Sequence, residues 1–196
     1  LLVLLSTPVA AQRSTQPSAP DSIPVIQLSA TAHYGFLIAH RPVMQALATG
    51  HVRALDLQLA WRTNGRAYWH ANLKGPDVGL SVTLWDFGNP EHMGIGVSVA
   101  PYVSIPVLRS KRFRLDMQEK AGLGMIQKPF HRLDNHTNVA IGSNLNAFIA
   151  VSSQARYRIY RQWNVTAGLA FSHFSNGAWK LPNLGINLVT AHLGLS

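Results

Sequence analysis

The sequence predicts an all-β protein, an eight-stranded antiparallel transmembrane β-barrel of the outer membrane. Three observations support this fold class. Beyond residue 30, large apolar residues alternate with small or polar ones in segment after segment, as in strands with two different faces. The segments number eight, an even count. Each has ten or more residues, longer than the about five or six of a soluble strand and sufficient for a tilted membrane-spanning strand.

The third segment shows the alternation most clearly. Leu80, Val82 and Leu84 alternate there with Ser81 and Thr83, so one face is apolar throughout. The eight strands are expected at residues 30–40, 51–63, 78–87, 93–103, 111–125, 138–157, 163–175 and 185–195. With both termini in the periplasm, the extracellular connections are expected near residues 41–50, 88–92, 126–137 and 176–184. The connection at 64–77 is long for a periplasmic turn.

The two faces of these strands differ in a way that favours a membrane barrel. A soluble barrel directs its large apolar residues inward, whereas here the other face carries Gly, Ala, Ser, Asn, Arg and Asp, which suit a narrow polar lumen. In that lumen a charge network is expected from Asp56, Arg112, Arg114 and Asp116. Alternation alone does not show which face is inside, so a small soluble barrel that carries lipid remains the alternative fold. The lipid-facing set is expected to include Leu55, Leu57, Leu80, Val82, Ile95, Val97, Leu169 and Phe171.

Composition limits the function classes. The 196 residues are 47% hydrophobic and 13% charged and fit one domain, and the absence of Cys excludes disulfides, thiolate zinc sites and Cys nucleophiles. After the opening LLVLL, no apolar run approaches the roughly 18 to 20 residues of a membrane-spanning helix. The net charge of +9 favours anionic partners. The charges are scattered, however, so nucleic acid is not an expected partner.

The N-terminal region divides into two parts before the barrel. Residues 1–11, LLVLLSTPVAA, are apolar and end in small residues, as expected for part of a signal peptide for export, with a buried strand as the alternative. Residues 12–29 are expected to form a linker, because most of them are Ser, Pro, Gln and other residues typical of unstructured segments. The barrel is then expected over residues 30–196.

Polar residues interrupt the apolar face where the seventh strand ends. His173 and Ser175 are an even number of residues from Leu169 and Phe171, so all four have the same parity, that is, they lie on the same face of the strand. This places both on the lipid-facing side. A polar pair there is costly and indicates a functional site. The two residues are about 7 Å apart along the strand, and side chains that lean together reach hydrogen-bond distance. An imidazole that accepts the hydroxyl proton would make the serine a nucleophile.

The eighth strand supplies a third polar residue on the same face. Asn187 shares the parity of Val189 and Leu193 and lies at the outer end of its strand, beside His173. Its amide could orient the imidazole. Taken singly, an interfacial His, a turn Ser and a turn Asn would have no chemical role; their shared face and height favour a site.

The motif around these residues resembles a known family. His173-Phe-Ser175-Asn176-Gly177, followed by Pro182-Asn183-Leu-Gly185-Ile-Asn187, is similar to the active-site stretch of the PagL-type lipid A 3-O-deacylases, also called acyloxyacyl hydrolases. Weaker likeness in NVAIGS (138–143), Gly122-Leu-Gly124 and the strand pattern extends the resemblance over residues 30–196.

The resemblance implies an enzyme that hydrolyses an ester-linked acyl chain of lipid A, part of lipopolysaccharide, with no metal and no cofactor. It implies Ser175 as nucleophile and His173 as base, with Asn176 and Gly177 at the oxyanion hole. The expected partners are lipid A and outer-membrane lipid, and a homodimer is left open. Cations at extracellular connections would meet lipid A phosphates: Arg41, Lys128, Arg132 and Lys180. The acyl chain would lie along Leu169, Phe171, Val189 and Leu193.

One residue departs from the family pattern. Well-described members have Glu at the position of Asn187, and an amide brings no charge to stabilise an imidazolium. Asp134, in the connection after the fifth strand, is the alternative acid. A metal site from His131, Asp134 and His136 is the less favoured interpretation of that connection. A barrel of the same fold without catalysis, structural or lipid-binding, is the alternative function.

Overall fold

The computed structural model describes residues 26–63 and 65–196, so the expected signal peptide and most of the expected linker lie outside the described residues. The described chain forms a closed barrel of eight strands in sequence order. The strands are β1 Ile26–Leu37, β2 Val52–Arg62, β3 Asp77–Asp86, β4 Ile95–Arg109, β5 Phe113–Ile126, β6 Leu145–Tyr160, β7 Trp163–Ser175 and β8 Ile186–Leu195. The connections contain a 3₁₀ helix, Pro42–Leu47, and the short helix α1, Tyr68–Asn72. No helix in the described ranges is long and apolar enough to cross a membrane.

Every strand pairs antiparallel with its neighbour in sequence, and β1 closes the barrel on β8, with Ala30 opposite Leu195 and Leu37 opposite Leu188. The expected fold class is confirmed. We call the end at which β7 finishes and β8 begins the upper end. The end at which β1 begins and β8 finishes is the lower end.

Closure settles which face of each strand points outward. All eight residues expected to face lipid are exposed, from 38% for Val97 to 64% for Leu169. On β3, the intervening Ser81 and Thr83 are 1% and 2% exposed and point into the lumen. The barrel therefore carries its apolar residues outside, the arrangement of a membrane barrel rather than of a soluble one.

The upper part of the lumen differs from the expected polar filling. Four inward aromatic side chains pack together there, with ring centroids 4.9 to 6.5 Å apart. Met44 and Leu47 of the 3₁₀ helix and Ile141 of the β5–β6 connection are fully buried in the same apolar cluster. The four aromatic residues are Trp85, Phe87, Phe148 and Phe174. The upper end is thus closed by a small hydrophobic core, because aromatic rings fill a narrow barrel better than short polar side chains do.

Charged residues fill the middle of the lumen. Lys120 and Asp56 form a buried ion pair. Asp56 also accepts hydrogen bonds from Ser81 (2.7 Å), Thr83 (3.0 Å) and Gln58 (2.6 Å), so the carboxylate is well supplied with donors. A buried charge is tolerated when an ion pair and hydrogen bonds replace the water that it loses.

A second charge layer lies below it, where Arg114 and Arg156 meet Asp77 and Asp116. The expected lumen network is correct for Asp56, Arg114 and Asp116, although Asp56 pairs with Lys120 in the upper of the two layers, and it is wrong for Arg112. That residue is exposed in the turn between β4 and β5, because the strand begins only at Phe113.

Three strand boundaries differ from expectation by four residues or more. β1 begins at Ile26, so the expected linker ends four residues earlier than residue 29. β6 begins at Leu145 rather than 138, because residues 138–144 fold over the upper end instead of extending the ladder. β4 continues to Arg109 despite Pro101 and Pro106, with a register shift between Pro106 and Leu108 that accommodates the missing donor.

The face assignment predicts an accessibility pattern for spin labels. Labels introduced one at a time at positions 80 and 82 in the barrel in lipid vesicles should collide with oxygen, which concentrates in hydrocarbon. Labels at 81 and 83 should be shielded in the lumen. Power-saturation EPR measures this difference, and the opposite pattern would show that the barrel is inside out.

Candidate functional site

The candidate site lies on the outer wall at the upper end, where β7 and β8 meet. His173 and Ser175 project outward from the C-terminal end of β7, since Phe174 between them is fully buried in the lumen. His173 stands directly opposite Asn187 in the ladder. All three site residues are half-buried, so sequence parity placed them on the correct face.

A short hydrogen bond orients the imidazole. Nδ1 of His173 lies 2.6 Å from Oδ1 of Asn187. Because an amide oxygen only accepts, Nδ1 carries the proton in this arrangement, and Nε2 is left with a free lone pair. This is the tautomer in which a histidine serves as a general base through Nε2.

A second histidine completes the environment of Asn187. Nδ2 of Asn187 lies 3.1 Å from Nδ1 of His40, which follows β1. Nδ1 of His40 is also 3.4 Å from the carbonyl oxygen of Ile38, a longer contact that would need the other tautomer. The shorter contact gives a series of hydrogen bonds in which the amide of Asn187 donates to His40 and accepts from His173. An amide fits this position because it donates at one end and accepts at the other.

His40 was not considered from the sequence. It continues the outward parity of Tyr34, Phe36 and Ile38, which was a usable signal, but only barrel closure brings the end of β1 beside β8. The main-chain N–H of Ile38 donates to the carbonyl of Asn187 at 2.8 Å, which fixes the two segments together.

The hydroxyl of Ser175 contacts two donors. Nδ2 of Asn183 lies 3.0 Å from Ser175 Oγ, and the main-chain N–H of Gly177 lies 3.2 Å from the same atom. No hydrogen bond joins Ser175 to His173 in the described structure. Asn183 belongs to the sequence motif, but the sequence alone assigned it no role. It lies in a loop, where the alternation of a strand does not indicate which way a side chain points.

Asn176 has a structural role in the described loop. Its Nδ2 donates to Ser143 Oγ and to the carbonyl of Lys180, both at 2.8 Å, and its Oδ1 accepts from the N–H of Ala178 at 2.9 Å. The Asn176 N–H donates to Oδ1 of Asn183 at 3.1 Å. The amide hydrogens of Asn176 are therefore already used, and this residue positions Asn183 rather than presenting a donor of its own at Ser175.

Two glycines permit this geometry. Gly177 has φ of 65°, so its N–H can turn back to Ser175. Gly185 has φ of 80°, and a Cβ there would lie 2.7 Å from Cε1 of His173. A larger residue at position 185 would displace the imidazole.

The alternative acid lies in a different environment. Asp134 is exposed and pairs with His131 at 2.8 Å, and no contact joins it to His173 in the described ranges. Those ranges contain no group of three His, Asp or Glu residues arranged to hold a metal ion. Among the expected phosphate-binding cations, Lys128 donates to the carbonyls of Pro90 and Glu91 at 2.8 and 3.2 Å, so its ammonium ties two connections together.

An apolar wall extends below the site residues. Phe171 is opposite Val189 on one side and Val151 on the other, and Leu169 and Leu193 lie further down the wall. Leu169, Phe171 and Leu193 are 41% to 64% exposed. The polar site therefore forms the upper limit of a surface that an acyl chain could follow.

The fold and the site together define a class, the small outer-membrane β-barrels with a Ser, His and Asn cluster on the outer wall. The sequence profile of the family described as lipid A 3-O-deacylase (PagL) matches residues 55–196. The chain belongs to this family.

Two solved structures share the fold. Neisserial surface protein A has a TM-score of 0.60 and 10% identity, over 87% of this chain and 94% of that chain. The outer membrane enzyme PagL has a TM-score of 0.56 and 16% identity, over 85% of this chain and 97% of that chain. A search of curated proteins found no match.

The hydrogen bond from His173 to Asn187 predicts a single tautomer. In histidine-labelled protein in micelles, the ¹⁵N shift of His173 Nδ1 should be that of a protonated nitrogen and Nε2 that of an unprotonated one. Asn187→Ala should give a mixture, because nothing then holds the Nδ1 proton. Asn144→Ala, in the β5–β6 connection, removes an amide that donates to the carbonyl of Ile126 at the end of β5 and should leave the spectrum unchanged. A wild type with Nε2 protonated and Nδ1 unprotonated would show that the Asn187 amide is reversed.

Proposed function

We propose that the protein is a serine ester hydrolase of the outer membrane that removes an ester-linked acyl chain from lipid A. The observation that carries the proposal is the outward cluster of His173, Ser175 and Asn187, with Nε2 of His173 left free by the bond to Asn187. Family membership supports the substrate, and the exposed apolar wall beneath the cluster supports a lipid rather than a soluble ester.

In the proposed reaction, Ser175 turns from Asn183 toward His173. Catalytic hydrogen bonds are often absent before substrate binds, and the two residues are neighbours on one face. Nε2 takes the hydroxyl proton while Oγ attacks the ester carbonyl carbon. The resulting oxyanion is stabilised by Nδ2 of Asn183 and the N–H of Gly177, the two donors already directed at Ser175.

The tetrahedral intermediate collapses with cleavage of the carbon–oxygen bond to the sugar. The sugar oxygen takes the proton from Nε2 and leaves, and the acyl group remains on Ser175. Water, deprotonated by the same Nε2, then attacks the acyl carbonyl. Ser175 Oγ recovers its proton and the fatty acid is released.

Asn187 attenuates the proposed chemistry. It holds the tautomer, but its neutral amide cannot balance the positive imidazole that forms in each half-reaction. For this reason a barrel that binds lipid without turnover is the second candidate function, favoured by the same residue and by the missing Ser175–His173 bond.

Orientation follows from the substrate. The upper end faces the outer leaflet, where lipid A resides, and the ester reaches Ser175 sideways from the membrane along Phe171 and Val189. Arg41 and Lys180 flank the site in the connections after β1 and β7 and supply charge for phosphates. The proposal includes export by an N-terminal signal peptide.

Ser175→Ala should abolish deacylation, with a loss of about 10³-fold or more, because the nucleophile is removed. The barrel should still fold, since the hydroxyl is at the surface. Ser172→Ala is the matched control: Ser172 is 3% exposed and points into the lumen, so activity should be nearly unchanged. Fatty acid release from lipopolysaccharide in micelles measures the rates, and an inactive Ser172→Ala with an active Ser175→Ala would refute the assignment.

Asn187→Glu should raise the rate about tenfold or more, equivalent to roughly 1.4 kcal/mol of barrier, because a carboxylate stabilises the imidazolium. His40 would then have to donate to the carboxylate rather than accept from the amide. Asp134→Asn should be near neutral, since Asp134 pairs with His131. The same fatty acid assay applies. A large loss in Asp134→Asn with no effect of Asn187→Ala would identify Asp134 as the partner instead.

A further inference from the structure

The lower end of the barrel carries nearly all of the net charge. Residues 62–63, 65–74, 109–114 and 156–161 form its rim and contain ten of the 17 Lys and Arg residues. Only Asp77 and Asp116 oppose them in the described part of this end. The surplus of eight positive charges compares with +9 for the whole chain. The upper end, at which the proposed substrate binds, has no such excess.

These cations surround a cavity of about 210 Å³ at the mouth of the lumen. Both carboxylates are already shared: Asp77 pairs with Arg62, Arg114 and Arg156, and Asp116 with Arg114 and Arg156. Within the described residues, no further carboxylate pairs with the rest of the basic lining. The cationic lining comprises Arg62, Arg109, Lys111, Arg112, Arg114, Arg156 and Arg158.

The cavity contains buried donors that the described protein does not satisfy. Arg114 is 7% exposed, and its Nη1 has no hydrogen-bond partner within the described residues. In the described part of the chain, Arg109 and Arg158 donate only to main-chain carbonyls, those of Gly75 and Lys111. A buried N–H group without a hydrogen-bond partner is costly, and an anion with several oxygens would satisfy Nη1 of Arg114.

Aromatic residues place this mouth at a membrane surface. Tyr157, Tyr160 and Trp163 are 48% to 61% exposed on the outer wall of the same rim. Arg161 lies over the ring of Tyr160, 5.2 Å from its centroid. Tyr and Trp concentrate at the level of lipid headgroups, so the neighbouring guanidinium groups lie within reach of headgroup phosphates.

We propose that the lower mouth is a binding site for the phosphate of anionic phospholipids in the leaflet at that end of the barrel. The headgroup phosphate enters between the β4–β5 and β6–β7 turns, where Arg109, Arg112 and Arg158 contact it and Arg114 supplies the buried donor. The site is independent of the proposed esterase reaction at the opposite end.

Spin-labelled lipids test this proposal on the whole protein reconstituted in phosphatidylcholine vesicles. EPR measures the lipid immobilised on the barrel. Spin-labelled phosphatidylglycerol should associate about fivefold or more tightly than spin-labelled phosphatidylcholine, and the preference should decline as NaCl rises. A lack of preference in the wild type would overturn the proposal whatever the variants show.

Two triple variants test whether the preference for phosphatidylglycerol comes from the lower end of the barrel. Arg109→Gln with Arg112→Gln and Arg158→Gln should reduce the preference to near one. Arg41→Gln with Arg132→Gln and Lys180→Gln removes the same charge from the upper end and should retain it. Equal losses in the two variants would show a general charge effect and no site. Calorimetric titration with inorganic phosphate distinguishes the ligand source: saturation by phosphate without any lipid preference would overturn the lipid assignment.

Discussion

The closure of eight strands into one barrel is the constraint on which the rest of the structure depends. With β1 joined to β8, none of the eight described strands has a free edge, and each of their residues points either into a narrow lumen or out to lipid. A site for a soluble substrate would need a pocket in that lumen, but aromatic rings and ion pairs fill it. Chemistry on this fold is therefore confined to the outer wall and the two rims.

The two rims differ in the side chains that they carry. At the upper rim, the apolar core beneath Phe174 gives β7 and β8 a rigid support, and polar loops add Asn183 and His40 to the strand residues. Among the described residues the lower rim has no such core, and several arginines surround a small cavity there. A barrel spanning a bilayer meets a different headgroup layer at each end, so this division of apolar and basic residues matches the two surfaces it would contact.

Parity was sufficient to predict the fold, the lipid-facing set and the face shared by His173, Ser175 and Asn187, because a strand has a period of two and barrel closure preserves it. It failed where side chains come from connections. Met44 and Leu47 reach the lumen from a 3₁₀ helix, which converts the expected polar filling into a hydrophobic core. Asn183 reaches Ser175 from a loop. Its role depends on hydrogen bonds that the alternation of apolar and polar residues along a strand does not predict.

We propose that the outer-wall cluster of His173, Ser175 and Asn187 cleaves an acyl ester of lipid A. Mass spectrometry of lipid A from otherwise identical cells with and without the protein tests it most directly. We expect a species lighter by one ester-linked acyl chain only in cells that contain the protein, with the matching free fatty acid released. Identical lipid A in both cells, together with no change when the purified barrel is mixed with that lipopolysaccharide, would contradict it.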